Sequence, residues 1–307
     1  MTILVTGGSG FLGTALIPRL LKQGHKVYSI SRHPPEIIEG VTALKGDILN
    51  TADFGLREIL APLDIKSVYH LAAIHKLSKD KDGSIWETNV NGTKNVIRFC
   101  ITHEIPHLYF CSTAYTRGRN PYEWSKSRCE IMVRGSVIPK ITIFKPSIIM
   151  GTEEHYYPGH FSQFVSLLIR IHQRAEAIRR KVEGTMRLPI IEPVFRLKGN
   201  PLGKLNMLQI DQVADAMTSI KEAGTFWLTH PSPPSLQELV EWVGEYIMVD
   251  LRISLTFKAT PLEATMQKVT AAFEPYLQGD DFPSDLKDCP PITREFIHNT
   301  ISQTLKG

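Results

Sequence analysis

The stretch MTILVTGGSGFLGTALIPRLLKQGH, residues 1–25, contains four glycines within seven positions, between an apolar run and a helical pattern. Residues 3–6 are predicted as a β-strand, and from Phe11 onward apolar residues recur at the period of a helix. Glycines at a strand-to-helix turn permit a sharp bend, close packing, and approach of a pyrophosphate to the helix N-terminus. The stretch therefore predicts a dinucleotide-binding loop; the alternative is a glycine-rich turn without a ligand. The predicted contact residues are Gly7, Gly10, Phe11, Leu12 and Gly13.

The second predicted strand, residues 26–31, lies within the run KVYSISRHPPE at residues 26–36. An NAD site usually has Asp or Glu at the end of this strand, about 20 residues after the glycines, to bind the ribose 2′-hydroxyl. Here Ser31 and Arg32 occupy that position. Because a guanidinium pairs well with a phosphate, Arg32 predicts a 2′-phosphate contact and hence NADP(H) rather than NAD(H). The alternative is that Arg32 is a solvated loop residue and Ser31 binds a plain ribose.

Short apolar strands alternate with helices through the first half of the chain. This alternation predicts a parallel sheet covered on both faces, with ligands bound at the carboxyl ends of its strands. From Thr152 the proline content rises, aromatic residues cluster and the alternation weakens. We therefore predict an α/β fold: a Rossmann-type doubly wound parallel sheet over residues 1–151, and a smaller, mostly helical C-terminal substrate lobe over residues 152–307. The lobe is expected to be interleaved with the last core strands, at 205–210 and 225–228. The other predicted strands are 41–44, 67–73, 107–112 and 141–145, and the predicted helices of the first half are 11–23, 85–104 and 122–134.

Tyr122 and Lys126 lie four residues apart at the start of the helix after the fifth strand, so they share one helix face. The hydroxyls of Ser112 and Thr113 lie at the end of that strand. Reduction of a carbonyl leaves an alkoxide that needs a proton, and a tyrosine whose pKa is lowered by an ammonium group can donate it. We predict Tyr122 as the proton donor, Lys126 as that charge and a contact of the nicotinamide ribose, and Thr113 as a hydrogen bond to the substrate oxygen. The alternative is a helix-start aromatic residue beside a surface lysine.

Several segments together resemble the extended short-chain dehydrogenase/reductase family, of the NAD-dependent epimerase/dehydratase type. They are TGGSGFLG (6–13), GD (46–47), HLAA (70–73), NVNGTKN (89–95), STAY (112–115), PYEWSK (121–126) and KPSIIMG (145–151). The resemblance is dense over residues 1–151 and thin beyond, at 205–217 and 226–239. Within the family, STAY and the segments LTHPSPPS (228–235) and PLEATMQKV (261–269) are most similar to the thioester-reductase and fatty-acyl-reductase branch. Sugar-nucleotide enzymes form the larger neighbouring branch.

The resemblance implies roles for further residues. Those that match cofactor contacts are Asp47 and Ile48 at the adenine, Ala72 and Ala73 in the wall after strand four, and Pro146 and Ser147 at the nicotinamide. Asn89 matches a helix asparagine with a structural role. Only eight residues separate Thr113 from Tyr122, fewer than in relatives. Eight residues span at most ~28 Å, so the three catalytic side chains can still assemble. That loop commonly supplies substrate contacts, so its shortness argues against carrying over a substrate and predicts a more open pocket.

The second half carries an amphipathic helical pattern at residues 161–182 whose polar face is basic. We interpret this face as solvated; the alternative is an anion site for a diphosphate, a coenzyme A phosphate or an acidic carrier protein. His155 and His160 follow strand six, but their spacing of five suits a helical metal site poorly, so we predict no metal. Asp211 is expected to cap the helix that follows it. The basic residues are Arg170, Arg174, Arg179, Arg180, Lys181 and Arg187.

The overall composition is that of a globular protein that handles small molecules. Of 307 residues 42% are hydrophobic, and no apolar run approaches the ~18 residues of a membrane span. The formal charge of +4 is mild, and the basic residues are too dispersed for a nucleic-acid surface. Four cysteines without CxxC pairs predict reduced thiols. We expect a cytoplasmic protein with a small-molecule or carrier-bound substrate and no nucleic-acid or membrane partner; the resemblance adds a homodimer as an expectation.

These features predict an NADP(H)-dependent oxidoreductase that moves a hydride to or from a carbonyl carbon of a biosynthetic intermediate, acyl or polyketide-like. One alternative is a sugar-nucleotide epimerase or dehydratase with tightly bound NAD(P). Arg32 and the missing acid at the second strand argue against it. Another alternative is a non-enzymatic NADP(H)-sensing protein. The presence of Tyr122, Lys126 and Thr113 together argues against that one. The substrate and the direction of the reaction stay open.

Overall fold

The computed structural model describes residues 1–34, 39–152, 155–157, 159–186 and 194–306. The strands in these ranges are β1 (Thr2–Thr6), β2 (Lys26–Ser31), β3 (Val41–Lys45), β4 (Ile65–His70), β5 (His107–Cys111), β6 (Lys140–Pro146), β7 (Ile148–Met150), β8 (Phe195–Lys198), β9 (Met207–Gln209), β10 (Gly224–Leu228) and β11 (Leu251–Ser254). The α-helices are α1 (Phe11–Lys22), α2 (Arg57–Leu60), α3 (Ser84–Trp86), α4 (Gly92–Thr102), α5 (Pro121–Arg134), α6 (His160–Met186), α7 (Ile210–Ser219), α8 (Leu236–Ile247), α9 (Pro261–Thr270) and α10 (Arg294–Lys306).

A seven-stranded sheet organises the first half of the chain, in the order β3-β2-β1-β4-β5-β6-β10. Every pairing between neighbouring strands is parallel. All five residues of β5 are buried, as expected for a strand covered by helices on both faces. The chain order reverses between β1 and β4, which is where a doubly wound sheet opens a crevice at its carboxyl edge. The predicted Rossmann-type fold is therefore confirmed.

Two predicted boundaries differ from the observed ones near this crevice. β4 ends at His70 rather than at residue 73, and the N–H of Leu71 makes the last hydrogen bond to β1, on the oxygen of Thr6 (3.1 Å). The chain then leaves the sheet, and four residues after the end of β4 the side chain of Asn89 binds the backbone of Ile74. The predicted helix 85–104 is interrupted by a π-helical turn, Glu87–Asn91, which contains that asparagine.

The strand predicted at 205–210 is observed as the shorter β9, and it lies outside the large sheet. β9 forms a two-stranded sheet with β7 instead of joining the large sheet. Its C-terminal end becomes α7 at Ile210, whose side chain is buried in an apolar cluster with Ala15 and Ala214. β10, by contrast, joins the large sheet as an edge strand beside β6.

The chain divides into two compact units. The first comprises residues 1–149, 208–229 and 283–287, and the second comprises 150–207, 230–282 and 288–307. The second unit is mostly helical, with α6, α8, α9 and α10 beside the parallel pair β8–β11. Ser235 caps α8 and Thr260 caps α9, each with a glutamate three residues on, as the sequence pattern Ser/Thr-x-x-Glu predicts. Within the described ranges, no helix has both the length and the apolar character needed to cross a membrane.

Candidate active site

The glycine turn after β1 is shaped by close approaches that leave no room for side chains. Gly7 has a φ of +76°, and a Cβ atom there would lie 2.7 Å from the backbone of Ala72. A Cβ atom on Gly13 would lie 2.5 Å from the carbonyl oxygen of Gly8, and one on Gly8 would collide with the hydroxyl of Ser29. The sequence prediction left Gly8 out of the site, although its signal was present in the same GGSG run. The turn is thus packed against both α1 and the segment after β4.

Helix α1 begins directly at this turn, and no polar or acidic side chain caps its first N–H groups. Its N-cap is Gly10, which supplies no side-chain hydrogen bond, and its first turn contains no acidic residue. Phe11 and Leu12 are its first two residues, and Thr14 begins the backbone ladder by bonding to the oxygen of Gly10 (3.0 Å). The first N–H groups of a helix attract anions because they carry partial positive charge. This end of α1 therefore fits a pyrophosphate.

Two buried hydroxyls at strand ends make no hydrogen bond within the part of the chain that the structure describes. Ser31 is the last residue of β2, and Ser147 directly follows β6. A buried hydroxyl without a partner costs about 1–3 kcal/mol, which a ligand oxygen or nitrogen can remove. Arg32, next to Ser31, is exposed. The residues present thus fit a dinucleotide whose ribose and nicotinamide ends reach these two serines.

The residues assigned to the adenine contact are already engaged with the protein. The carboxylate of Asp47 accepts a hydrogen bond from the N–H of Leu49 (2.9 Å). The side chain of Ile48 lies in the hydrophobic core, so close to α4 that a Cβ atom on Gly92 would lie 2.5 Å from it. Asn95 also binds the carbonyl oxygen of Ile48 (2.9 Å). The adenine contact of Asp47 and Ile48 stays a prediction, and for Ile48 it concerns the backbone.

Tyr122 and Lys126 both lie on the buried side of α5. Asn120 caps this helix by accepting from the N–H of Glu123 (3.0 Å), and Pro121 is its first residue, a position where proline suits a helix. The Nζ atom of Lys126 donates to the carbonyl oxygen of Cys111 at the end of β5 (2.7 Å). Lys126 is 4% exposed and Tyr122 is 9% exposed. The alternative of a surface lysine is therefore wrong.

Thr113 lies where the ends of β5 and β6 meet. Its hydroxyl donates to the carbonyl oxygen of Pro146 (3.4 Å) and accepts from the N–H of Tyr115 (3.2 Å). The N–H of Ala114 also donates to the oxygen of Pro146 (2.8 Å). Thr113 is thus fixed against the segment that carries Ser147, the serine assigned to the nicotinamide.

Asn89 connects the crevice to α5, in line with the structural role that the resemblance implies. Its carboxamide bonds to both backbone groups of Ile74, at 2.7 and 3.1 Å. The same carboxamide donates to the hydroxyl of Ser125 (2.8 Å), which donates in turn to the carbonyl oxygen of Tyr122 (2.7 Å). The segment after β4 and the helix that carries Tyr122 are therefore held in one network.

His70 is a buried neutral imidazole beneath this network. Thr93 donates its hydroxyl proton to the oxygen of Asn89, so it accepts from Nε2 of His70, and Nδ1 then accepts from Thr6. Complete burial, aided by the charge of Lys126, lowers the pKa of His70 to about 3. His70 lies in the HLAA run, and the sequence alone predicts no role for it.

His75 is a second histidine without a predicted role. Its ring lies 4.5 Å from the ring of Tyr122, centroid to centroid, and is tilted by 46°. The side chain is exposed, whereas that of Tyr122 is buried. A single sequence gives little signal for such a contact, because His75 follows the strand by five residues in an irregular segment.

Outside this site, three predictions receive a structural context. Asp211 is not the cap of α7, since the N-cap is Gln209; Asp211 pairs with Arg19 of α1 (2.9 Å) instead.

On α6, Arg179 and Arg180 bind Glu176, which lowers the pKa of that carboxyl to about 2. This internal pairing favours a solvated face over an anion site, and Arg187 lies outside the described residues. In the second unit His160 binds Gln163 (3.0 Å), and the described residues include no group of three side chains suited to a metal.

Comparison with known proteins matches the part of the chain that carries most of this site to a family. Residues 3–134 match the model of the NAD dependent epimerase/dehydratase family. The 2-alkyl-3-oxoalkanoate reductase of Stenotrophomonas maltophilia (strain K279a) is 38% identical over 115 residues, which are 37% of this chain and 33% of that protein. Short-chain dehydrogenase/reductase family 42E member 1 of Mus musculus is 26% identical over 246 residues, 78% of this chain and 55% of that protein. The matches thus span about a third and about half of the length of these relatives.

Among solved structures, the UDP-glucose 4-epimerase of Thermotoga maritima with UDP-glucose aligns with a TM-score of 0.68. The alignment covers 100% of this chain and 99% of that one at 16% sequence identity, which shows a shared fold and no more. The family match, the strand order and the buried tyrosine–lysine pair agree with one another. Residues 3–134 therefore match the NAD dependent epimerase/dehydratase family, and the relatives to which the chain is similar include short-chain dehydrogenases/reductases.

Proposed function

We propose that this protein is an NADP(H)-dependent oxidoreductase that moves a hydride to or from a carbonyl carbon. The observation that carries the proposal is the burial of Tyr122 and Lys126 on one face of α5, with Lys126 anchored on the carbonyl oxygen of Cys111. A solvated tyrosine and lysine would need no such anchor. Two side chains held in this way suit a proton transfer at the carboxyl edge of the sheet.

Each catalytic side chain has one task in this proposal. A bound nicotinamide cofactor supplies or accepts the hydride. The hydroxyl of Tyr122 donates its proton to the oxygen of the substrate, and the ammonium of Lys126 stabilises the phenolate that remains. The hydroxyl of Thr113 exchanges its long hydrogen bond to the oxygen of Pro146 (3.4 Å) for one to the same substrate oxygen, which it orients. In the oxidative direction the phenolate of Tyr122 accepts the proton instead.

The choice of NADP(H) over NAD(H) is supported by the end of β2. Ser31 offers a buried hydroxyl that has no partner among the described residues, and Arg32 offers an exposed guanidinium. Residues 31–34 carry no carboxylate, which would repel a 2′-phosphate. The substrate that we propose is a small or carrier-bound acyl or polyketide-like carbonyl compound, in line with the similarity to an oxoalkanoate reductase.

A second candidate is a sugar-nucleotide epimerase or dehydratase. It is favoured by the whole-chain similarity in fold to a UDP-glucose 4-epimerase. Such an enzyme regenerates its cofactor in each turnover and consumes no reduced nucleotide. The two candidates therefore differ in a simple measurement, the net loss of NADPH absorbance in the presence of substrate.

The first test is a fluorescence titration of the purified protein with NADPH and with NADH. We expect at least about tenfold tighter binding of NADPH, equivalent to about 1.4 kcal/mol, and loss of this preference in Arg32→Ala. Arg128→Ala removes the same charge from the exposed face of α5 and should keep the preference. Equal binding of both nucleotides would overturn the NADP assignment, and sugar nucleotides would then be tested before other carbonyl substrates.

A further inference from the structure

A buried ion pair lies beside the candidate site in the first unit. Nζ of Lys145, near the end of β6, is 2.5 Å from Oε1 of Glu130 on α5. The side chains are 4% and 12% exposed, respectively. Taking two charges out of water is costly, and well-packed apolar residues often stabilise a fold equally well. Stability alone is therefore a weak reason for this pair.

The pair contacts two further segments, 112–116 and β10. The same carboxylate oxygen of Glu130 accepts from the hydroxyl of Ser112 (2.5 Å). Lys145 donates to the hydroxyl of Thr116 (3.1 Å), and its ammonium lies 4.9 Å from the ring centroid of Trp227 on β10. One ion pair thus connects α5, β6, β10 and the segment 112–116.

The positions of these bonds relate the pair to the catalytic residues. Glu130 lies four residues after Lys126 and eight after Tyr122, so the three side chains share a face of α5. Thr113 lies within the segment 112–116, which is held by Glu130 at its first residue and by Lys145 at its last. Movement of α5 against this segment would change the position of Thr113 relative to Tyr122.

We propose that Glu130 and Lys145 are positioning residues, which hold Thr113 in register with Tyr122 and Lys126. The inference rests on the proposed function for the roles of those three residues. Glu130 and Lys145 act only through the segments that they fix. Their effect is therefore expected in the chemical step and in the environment of Tyr122, with cofactor binding unchanged.

The test replaces the whole pair rather than one partner. Lys145→Met alone would leave the mostly buried carboxylate of Glu130 with only the half-exposed Arg134 as counter-ion and destabilise the protein. It is therefore combined with Glu130→Leu, and the double variant removes both charges at similar volume. In this double variant we expect kcat for NADPH-dependent reduction to fall about 10- to 100-fold, because small misplacements of reacting groups slow the reaction strongly. Lys145→Arg, which keeps the charge, should retain most of kcat. The dissociation constant of NADPH should change by less than about twofold, which is under 0.5 kcal/mol.

Arg134→Ala is the matched control. Arg134 binds the other carboxylate oxygen of Glu130 (3.3 Å) but is 50% exposed and contacts none of the positioned segments in this way. Its removal should leave kcat unchanged. A folded double variant with wild-type kcat would overturn the inference and leave the pair a structural element only.

A second readout needs no substrate. The phenol of Tyr122 is titrated by its ultraviolet absorbance, as the difference between each protein and the same protein carrying Tyr122→Phe. We expect the titration of Tyr122 to shift in the double variant, because α5, which carries Tyr122 and Lys126, is no longer fixed against the segment 112–116. If the wild type reduces no carbonyl compound but this titration shifts, the proposed function fails and the positioning role stands. With an inactive wild type, an unchanged titration overturns the inference.

Discussion

At the carboxyl ends of β2 and β6, the hydroxyls of Ser31 and Ser147 are buried without a hydrogen-bond partner in the described part of the chain. At α5 the polar groups are bonded to one another instead: Lys126 to Cys111, and Asn89 to Ser125. The first region is unsatisfied without a ligand, whereas the second is complete in the protein alone. Under the proposed function, the first region holds the hydroxyls assigned to the cofactor, and the second holds the residues assigned to the chemical step.

The two regions also differ in what their polar groups contribute to the stability of the folded protein. An unpartnered buried hydroxyl costs about 1–3 kcal/mol, which is recovered only when a ligand binds. A bonded network stabilises the folded protein at all times and keeps its members in fixed positions, as an active site requires. Substitutions at Ser31 and Ser147 should therefore lower the affinity for the cofactor. Substitutions in the network at α5 should lower the stability of the protein or kcat.

The largest effect is expected for Tyr122→Phe, in the region at α5 whose polar groups are bonded to one another. Loss of the proton donor should lower kcat about 10²- to 10⁴-fold, the usual contribution of acid–base catalysis. NADPH affinity should stay near the wild-type value, because the phenyl ring keeps the packing. Tyr28→Phe, on β2, serves as the control. NADPH oxidation at the wild-type rate in Tyr122→Phe would contradict the mechanism.

Gly13→Ala tests the cofactor region through its backbone. The new methyl group would lie 2.5 Å from the oxygen of Gly8, so we expect destabilisation by about 1–3 kcal/mol and a large loss of NADPH affinity. The control is Gly184→Ala in α6, where the methyl group meets nothing within 4 Å. That variant should be stabilised by up to about 1 kcal/mol, since alanine favours a helix. Urea unfolding and nucleotide titration measure both quantities.

His70 predicts a pH dependence of stability. Its pKa is about 3 in the folded protein and 6.5 in a model peptide, so between these values the unfolded chain binds a proton that the folded protein does not. Stability should therefore fall as pH falls below 6.5, by about 2 kcal/mol at pH 5. His107, with a pKa lowered to about 4 by burial, acts in the same direction.

Urea unfolding of the wild type and of His70→Gln at pH 7 and pH 5 isolates the contribution of His70, because His107 is present in both. The wild type should lose about 2 kcal/mol more than the variant. His33→Gln, at an exposed position, should follow the wild type. Equal losses in wild type and His70→Gln would show that His70 is not the group responsible.

The smallest effects compare the two kinds of hydroxyl directly. Ser31→Ala and Ser147→Ala should leave the stability of the protein without cofactor unchanged or slightly higher, and weaken NADPH binding by about 0.5–1.5 kcal/mol. Ser125→Ala breaks the bonds to Asn89 and Tyr122, so it should lower stability by about 1–3 kcal/mol. If Ser31→Ala destabilises the protein as much as Ser125→Ala does, the distinction between the two regions fails.

Local sequence patterns predicted much of the fold. The apolar runs and the glycine turn indicate β1, α1 and β2 almost at their observed bounds, because strand and helix periods are properties of neighbouring residues. At residues 67–73 the prediction runs past the end of β4 at His70, and Ile74, four residues on, is bonded to Asn89, a contact that no local pattern shows. The error at 205–210 is of the same kind, since the choice of partner strand depends on the whole sheet.

The candidate site divides in the same way. The spacing of Tyr122 and Lys126 places them on one helix face, which a sequence can state because it follows from the helix period. Whether that face is buried is a property of the assembled sheet, in which Lys126 reaches Cys111. The contacts of His75, Glu130 and Lys145 join residues that are not neighbours in the chain, so no local sequence pattern predicts them.

By itself, then, the sequence determined the strand–glycine–helix start, the alternation that makes a doubly wound sheet, and the residue types available for chemistry. These are short-range properties, set by backbone conformation and side-chain period. The tertiary structure decided which hydroxyls are left without partners at the strand ends and which are bonded beneath α5. It also decided that a buried ion pair connects that helix to Thr113 through the segment 112–116, because hydrogen bonding and burial depend on which distant segments the fold brings together.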